Sequence, residues 1–112
     1  MNNENYSFEK IALLRHAILD VMSEYHDSGK SLRSILREYR LSSGLDDKTL
    51  ATVQFLTLGA VRFQNTIAFI LYRCSNQKFK SLRLRGQILL RICLYWLRWQ
   101  GMSYYSITGL LV

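Results

Sequence analysis

No proline interrupts this chain at any of its 112 positions, and glycine occurs only six times. Proline breaks helices and glycine weakens them, whereas sandwiches and barrels need frequent turns that use both. A chain poor in both is expected to be all-α, with short connections between helices. Residues 1–6 read as a flexible N-terminus. Residues 7–112 are enough for a single helical domain, a compact bundle of about five to six helices around one core.

Apolar spacing places the helices. The first is predicted over about Phe8 to Tyr25, capped by Ser7, with Phe8, Ile11, Ile18, Met22 and Tyr25 on one stripe. A second runs from about Ser31 to Arg40. Its Leu32, Ile35, Leu36 and Tyr39 face a core, and Arg33, Arg37 and Arg40 form a separate basic stripe. Residues 41–45 read as a loop. Asp46 or Asp47 then caps a third helix, where a negative charge also suits the helix dipole.

The third helix carries Leu50, Val53, Thr57 and Val61 on one side, with Ala51, Phe55 and Leu58 on the adjoining side. It is therefore expected to be apolar over a wide arc and central. Gly59 inside it costs about 1 kcal/mol relative to alanine, which close approach of another helix would explain. A bend at Gln64, Asn65 and Thr66 precedes a fourth helix over residues 67–73, and a basic connection follows over residues 74–81. A fifth helix, about Leu82 to Gln100, repeats Ile88, Ile92, Trp96 and Trp99, with Leu89, Cys93 and Leu97 alongside. Gly101 ends it, and residues 104–112 begin another helix or a frayed end.

Charge is distributed unevenly. Residues 1–47 hold all eight carboxylates and six basic residues, a net −2, whereas residues 48–112 hold nine basic residues and no carboxylate, a net +9. Such asymmetry points to a polyanionic partner. Arg62, Arg73, Lys78, Lys80, Arg83, Arg85, Arg91 and Arg98 are the candidate phosphate contacts in this half. Tyr72, Phe79, Tyr104 and Tyr105 are nearby aromatics able to stack on unpaired bases. Tyr95, Trp96 and Trp99 are read as core.

Other chemistries lack their signatures. No Gly-rich phosphate loop, GxSxG or HExxH is present, and no acid/base pair can come from the acid-free half. Catalysis by this chain alone is not expected, and neither is a cofactor. Cys74 and Cys93 lack a CxxC companion and read as reduced core thiols; His16 and His26 read as surface or capping residues and not as metal ligands. With no leader peptide or spanning segment visible, the expectation is a soluble, cytoplasmic protein with no membrane partner.

Three segments stand in order along the chain: Arg15, Ala17 and Val21; then Asp47, Lys48, Leu50 and Ala51, followed by Gly59 and Arg62; then the run from Ile88 to Leu97, with Leu90-Arg91 and Tyr95-Trp96-Leu97. Together they resemble the first helix, the central helix and a later helix of the NusB/RsmB-type RNA-binding domain. The resemblance covers about residues 10–108. It implies binding of ribosomal or leader RNA, with Arg15, Arg33, Arg37, Arg62, Arg73, Lys78, Lys80, Arg83 and Arg85 as candidate contacts.

The family occurs as a free-standing antitermination factor that binds boxA RNA with a ribosomal protein. It also occurs as the N-terminal domain of S-adenosylmethionine-dependent RNA cytosine-C5 methyltransferases. Gly59-Ala60-Val61-Arg62 looks more like the methyltransferase-linked form. The Pro, Asn and Glu that the family carries after this helix are missing from residues 102–111, and Gly109 stands where the Glu is expected. The resemblance thus implies a divergent domain, a last helix cut short, or a methyltransferase domain beyond Val112. A protein-interaction module for an acidic partner is the alternative class; a peripheral membrane protein fits least, because no helix sets a Lys/Arg face against a Trp/Leu face.

Overall fold

A computed structural model describes residues 8–75 and 78–100. Among them the chain forms five α-helices, one 3-10 turn and no strand. The helices are α1 (Phe8–Ser28), α2 (Leu32–Ser43), α3 (Asp47–Arg62), α4 (Gln64–Ser75) and α5 (Leu84–Gln100), and the turn covers Lys78–Ser81.

Local chemistry sets the boundaries. Gly29, at φ 72°, adopts the left-handed conformation just after α1, where a side chain would be strained. Ser31 caps α2 by accepting a hydrogen bond from the Ser34 N–H at 3.2 Å. Gly44, also at φ 72°, ends that helix. Asp46 caps α3, its carboxylate accepting from the Thr49 N–H at 3.3 Å and from the Thr49 hydroxyl. Lys30 lies 3.7 Å from Glu24 and 3.4 Å from Glu38, tying the end of α1 to α2.

The core gathers around α1, which packs against α2, α3 and α5, while α3 and α5 also pack together and α4 lies against α5. α1 buries Ile11, Leu14, Ala17, Ile18, Leu19, Val21 and Met22, a wider arc than the stripe read from spacing. Opposite stand Val53, Leu56 and Ala60 of α3 and Ile88, Ile92 and Trp96 of α5. Each large apolar side chain removed from water contributes about 1.5–3 kcal/mol. Trp96 is 1% exposed and is the largest fully buried side chain. Thr57 is buried as well, and its hydroxyl is satisfied by donating to the Val53 carbonyl at 2.8 Å.

Several expected boundaries shift. α1 continues past Tyr25 to Ser28, and α2 continues through Ser43 although Leu41 is 82% exposed. Polar composition suggested a loop there, but α2 stops only where Gly44 leaves right-handed φ. The bend between α3 and α4 falls at Phe63, not at the polar residues after it. The Phe63 N–H still bonds the Gly59 carbonyl at 3.1 Å, and α4 then departs at 75°. Gln64, Asn65 and Thr66 are simply the exposed first turn of α4. Cys74 and Ser75 extend α4, Lys78–Ser81 forms the 3-10 turn, and α5 begins at Leu84 instead of Leu82.

Two core assignments are corrected. Ala51 and Phe55 of α3 are exposed and Leu58 is half-buried, because the buried side of α3 is taken by Leu50, Val53, Leu56, Thr57 and Ala60. Cys93 is buried as expected, whereas Cys74, near the end of α4, is exposed. Ser7, Gly101, Tyr104, Tyr105 and Gly109, and the side chains of Phe8, Phe79 and Trp99, lie outside the described residues.

Candidate nucleic-acid interface

Because Leu32, Ile35, Leu36 and Tyr39 turn α2 inward, its Arg33, Arg37 and Arg40 point outward, and all three are exposed. Gln54, Phe55, Leu58 and Arg62 form the facing stripe of α3. Two adjoining clefts of about 700 and 260 Å³ share Arg33, Gln54 and Leu58 as lining; the smaller lies between α2 and α3, and the larger is lined by α3, Phe63 and Tyr95 of α5, with Arg33 as its α2 residue. Arg37 and Arg40 line the smaller one and Arg62 the larger one.

The larger cleft has an aromatic floor. Tyr95 of α5 lies between Phe55 and Phe63, with ring centroids 6.1 Å from each. It is stacked on Phe63 at 22° and tilted against Phe55 at 58°. Phe55 remains 40% exposed and presents its ring to the cleft. The Arg62 guanidinium sits 5.7 Å from the Phe63 ring centre, within cation–π range.

Among the described residues, one of the arginines lining the two clefts is ion-paired. Arg40 lies 3.3 Å from Asp47, an exposed pair of little energetic weight. No salt bridge among the described residues engages Arg33, Arg37 or Arg62. Positive charge beside an exposed aromatic ring suits a group that joins an anion to a planar ring, since the guanidinium groups neutralise phosphate and the Phe55 face accepts a base.

A second basic surface surrounds the 3-10 turn. Lys78, Lys80, Arg83 and Arg85 are all exposed there, and the turn packs on α4. Lys80 lies 4.9 Å from the Tyr72 ring centre, and Arg73 lies 5.7 Å from that of Phe69, which is 62% exposed. Lys78 and Lys80, read from sequence as part of a basic connection, thus stand in a patch beside Tyr72 and Phe69.

The structure brings Arg33, Arg37 and Arg62 together at the α2–α3 clefts and gathers Arg73, Lys78, Lys80, Arg83 and Arg85 around the 3-10 turn. It leaves Arg15 half-buried on α1, outside the clefts. Spacing missed Gln54, Phe55 and Phe63, because Phe55 sits on an apolar helix row and Phe63 follows the last residue of α3. The available signal was Phe55 beside Gln54 in a stretch whose core face was already complete.

Other titratable groups are set by packing. Arg91 is half-buried on α5, where desolvation lowers its pKa. Its charge, after desolvation, helps hold His26 below the usual imidazole value, and Asp27 opposes this. His16 lies 3.9 Å from Asp20 one turn along α1. Among the described residues no three His, Cys, Asp or Glu side chains gather to hold a metal, and no single helix is long and apolar enough to cross a membrane. Comparison with protein-family models, curated proteins and solved structures returned no match.

Proposed function

We propose that this chain is an RNA-binding helical domain of the NusB/RsmB type, positioning ribosomal RNA for an attached cytosine-C5 methyltransferase. The reading rests on one observation: Arg33, Arg37 and Arg62 line adjoining clefts, beside exposed Phe55, with no salt bridge among the described residues to neutralise them. The acid-free half of the sequence and the motif resemblance support the same partner. The domain binds phosphate through its arginines and leaves methyl transfer to other machinery.

Filter binding of ribosomal RNA over a series of salt concentrations tests this. Neutralising several phosphates releases counterions, so the logarithm of affinity should fall linearly with the logarithm of salt. Replacing Arg33, Arg37 and Arg62 together with alanine should reduce the steepness of that line by about two to three. Binding that is absent, or indifferent to salt, rejects the reading.

A further inference from the structure

Ala51, one turn before Phe55, adds little bulk to the α3 side of the larger cleft, whereas the space over Gly59, one turn after it, is filled by the Tyr95 ring. The exposed Phe55 ring and the Arg62 side chain line the cleft beside that floor. Seven residues separate those two, about 10.5 Å along the helix. Arg33 borders both clefts, and Arg37 is one turn further along α2 in the smaller one. The volume of about 700 Å³ falls within the roughly 300–1,000 Å³ usual for small-ligand sites.

Aromatic face, side-chain amide and guanidinium groups are the three chemistries that a nucleotide calls for: a surface for the base, a partner for its edge and cations for its phosphate. We infer that the two adjoining clefts together form a site for a single nucleotide unit, its base laid against Phe55 beside Gln54 in the larger one and its phosphate held by Arg33, which borders both, and by Arg37 in the smaller one. The unit can come from an RNA chain, in which case the site rests on the RNA reading above, or from a free nucleotide.

The test follows backbone amide shifts of the isotope-labelled chain during titration with adenosine 5′-monophosphate, adenosine and ribose 5-phosphate. The monophosphate should shift the amides of Gln54, Leu58 and Arg62 and leave those of Lys78 to Ser81 unmoved. Adenosine and ribose 5-phosphate should each bind at least about tenfold more weakly, because each lacks one of the two contacts. Phe55→Ala should weaken the monophosphate roughly tenfold or more. Phe55→Leu keeps apolar bulk without a π face, so it should show the same loss even if the alanine variant fails to fold.

No shift at the cleft overturns the inference, as do shifts confined to the 3-10 turn or ribose 5-phosphate binding as tightly as the monophosphate. Salt-dependent RNA binding that is unchanged by Phe55→Leu, with no monophosphate shift, rejects this site and leaves the RNA reading standing. Monophosphate binding at the cleft without any RNA binding does the reverse, and assigns the site to a free nucleotide.

Discussion

The Tyr95 phenol of α5 lies directly on the backbone of Gly59 in α3: a Cβ built at that glycine would overlap the Tyr95 ring. Alanine normally gains about 1 kcal/mol over glycine inside a helix. Here that gain is opposed by an overpacking cost of about 1–3 kcal/mol. Gly59→Ala should therefore destabilise the wild type and become neutral or stabilising in a Tyr95→Leu background. Urea denaturation of the four proteins checks it, and simple additivity of the two changes would refute the contact.

Cap residues give a separate test. Ser31→Ala removes the acceptor for the Ser34 N–H and should cost about 1 kcal/mol. Asp46→Ala should destabilise in the same direction, whereas Asp46→Asn keeps the cap. Hydrogen bonding from Thr49 holds the Asp46 carboxyl below its ordinary pKa. Its contribution is thus present above the ordinary value of about 3.9 and is lost as pH falls through the depressed one. Melting curves from pH 6 to pH 2 should show this acid-side loss in the wild type and less of it in Asp46→Asn.

The two thiols should separate cleanly. Burial pushes the Cys93 thiol up to about 12, while Cys74 is exposed. A thiol reagent at pH 8 should modify one equivalent quickly, and the second only at the rate of unfolding. Between the unfolded thiol value, about 8.5, and about 12, the unfolded chain loses a proton that the folded chain keeps. Stability should therefore fall as pH rises through that window. Cys93→Ala should reduce the fall without abolishing it, because desolvation and then Asp20 also raise the Tyr39 pKa.

The patch around the 3-10 turn makes an independent prediction for RNA. Replacing Lys78, Lys80, Arg83 and Arg85 with alanine should lower affinity for all RNA sequences and flatten the salt dependence by up to about four phosphate equivalents. All four side chains are exposed, so the thermal midpoint should change little. An unchanged salt slope would remove this patch from the interface.

Much of the helical framework could be read without coordinates. The inward row of α2, the central position of α3 and the need for a close neighbour at Gly59 all follow from spacing and residue size, which are local properties. The α2 terminus at Gly44 and the bend at Phe63 lie away from where polar composition places them, because composition averages over several residues. At Gly44 a single left-handed φ decides where α2 ends.

The candidate site divides the same way. The sequence alone determined that the cations are plentiful in the second half and that Arg33, Arg37 and Arg40 share one face of a helix, since charge counts and helical period need no partner. Tertiary structure decided which apolar row of α3 is core and which is surface. Once α1 and α5 had covered Val53, Leu56 and Thr57, Phe55 was left facing the gap beside α2. A row of Ala, Phe and Leu looks apolar in either place; only the packing of neighbouring helices distinguishes a core stripe from the wall of a basic cleft.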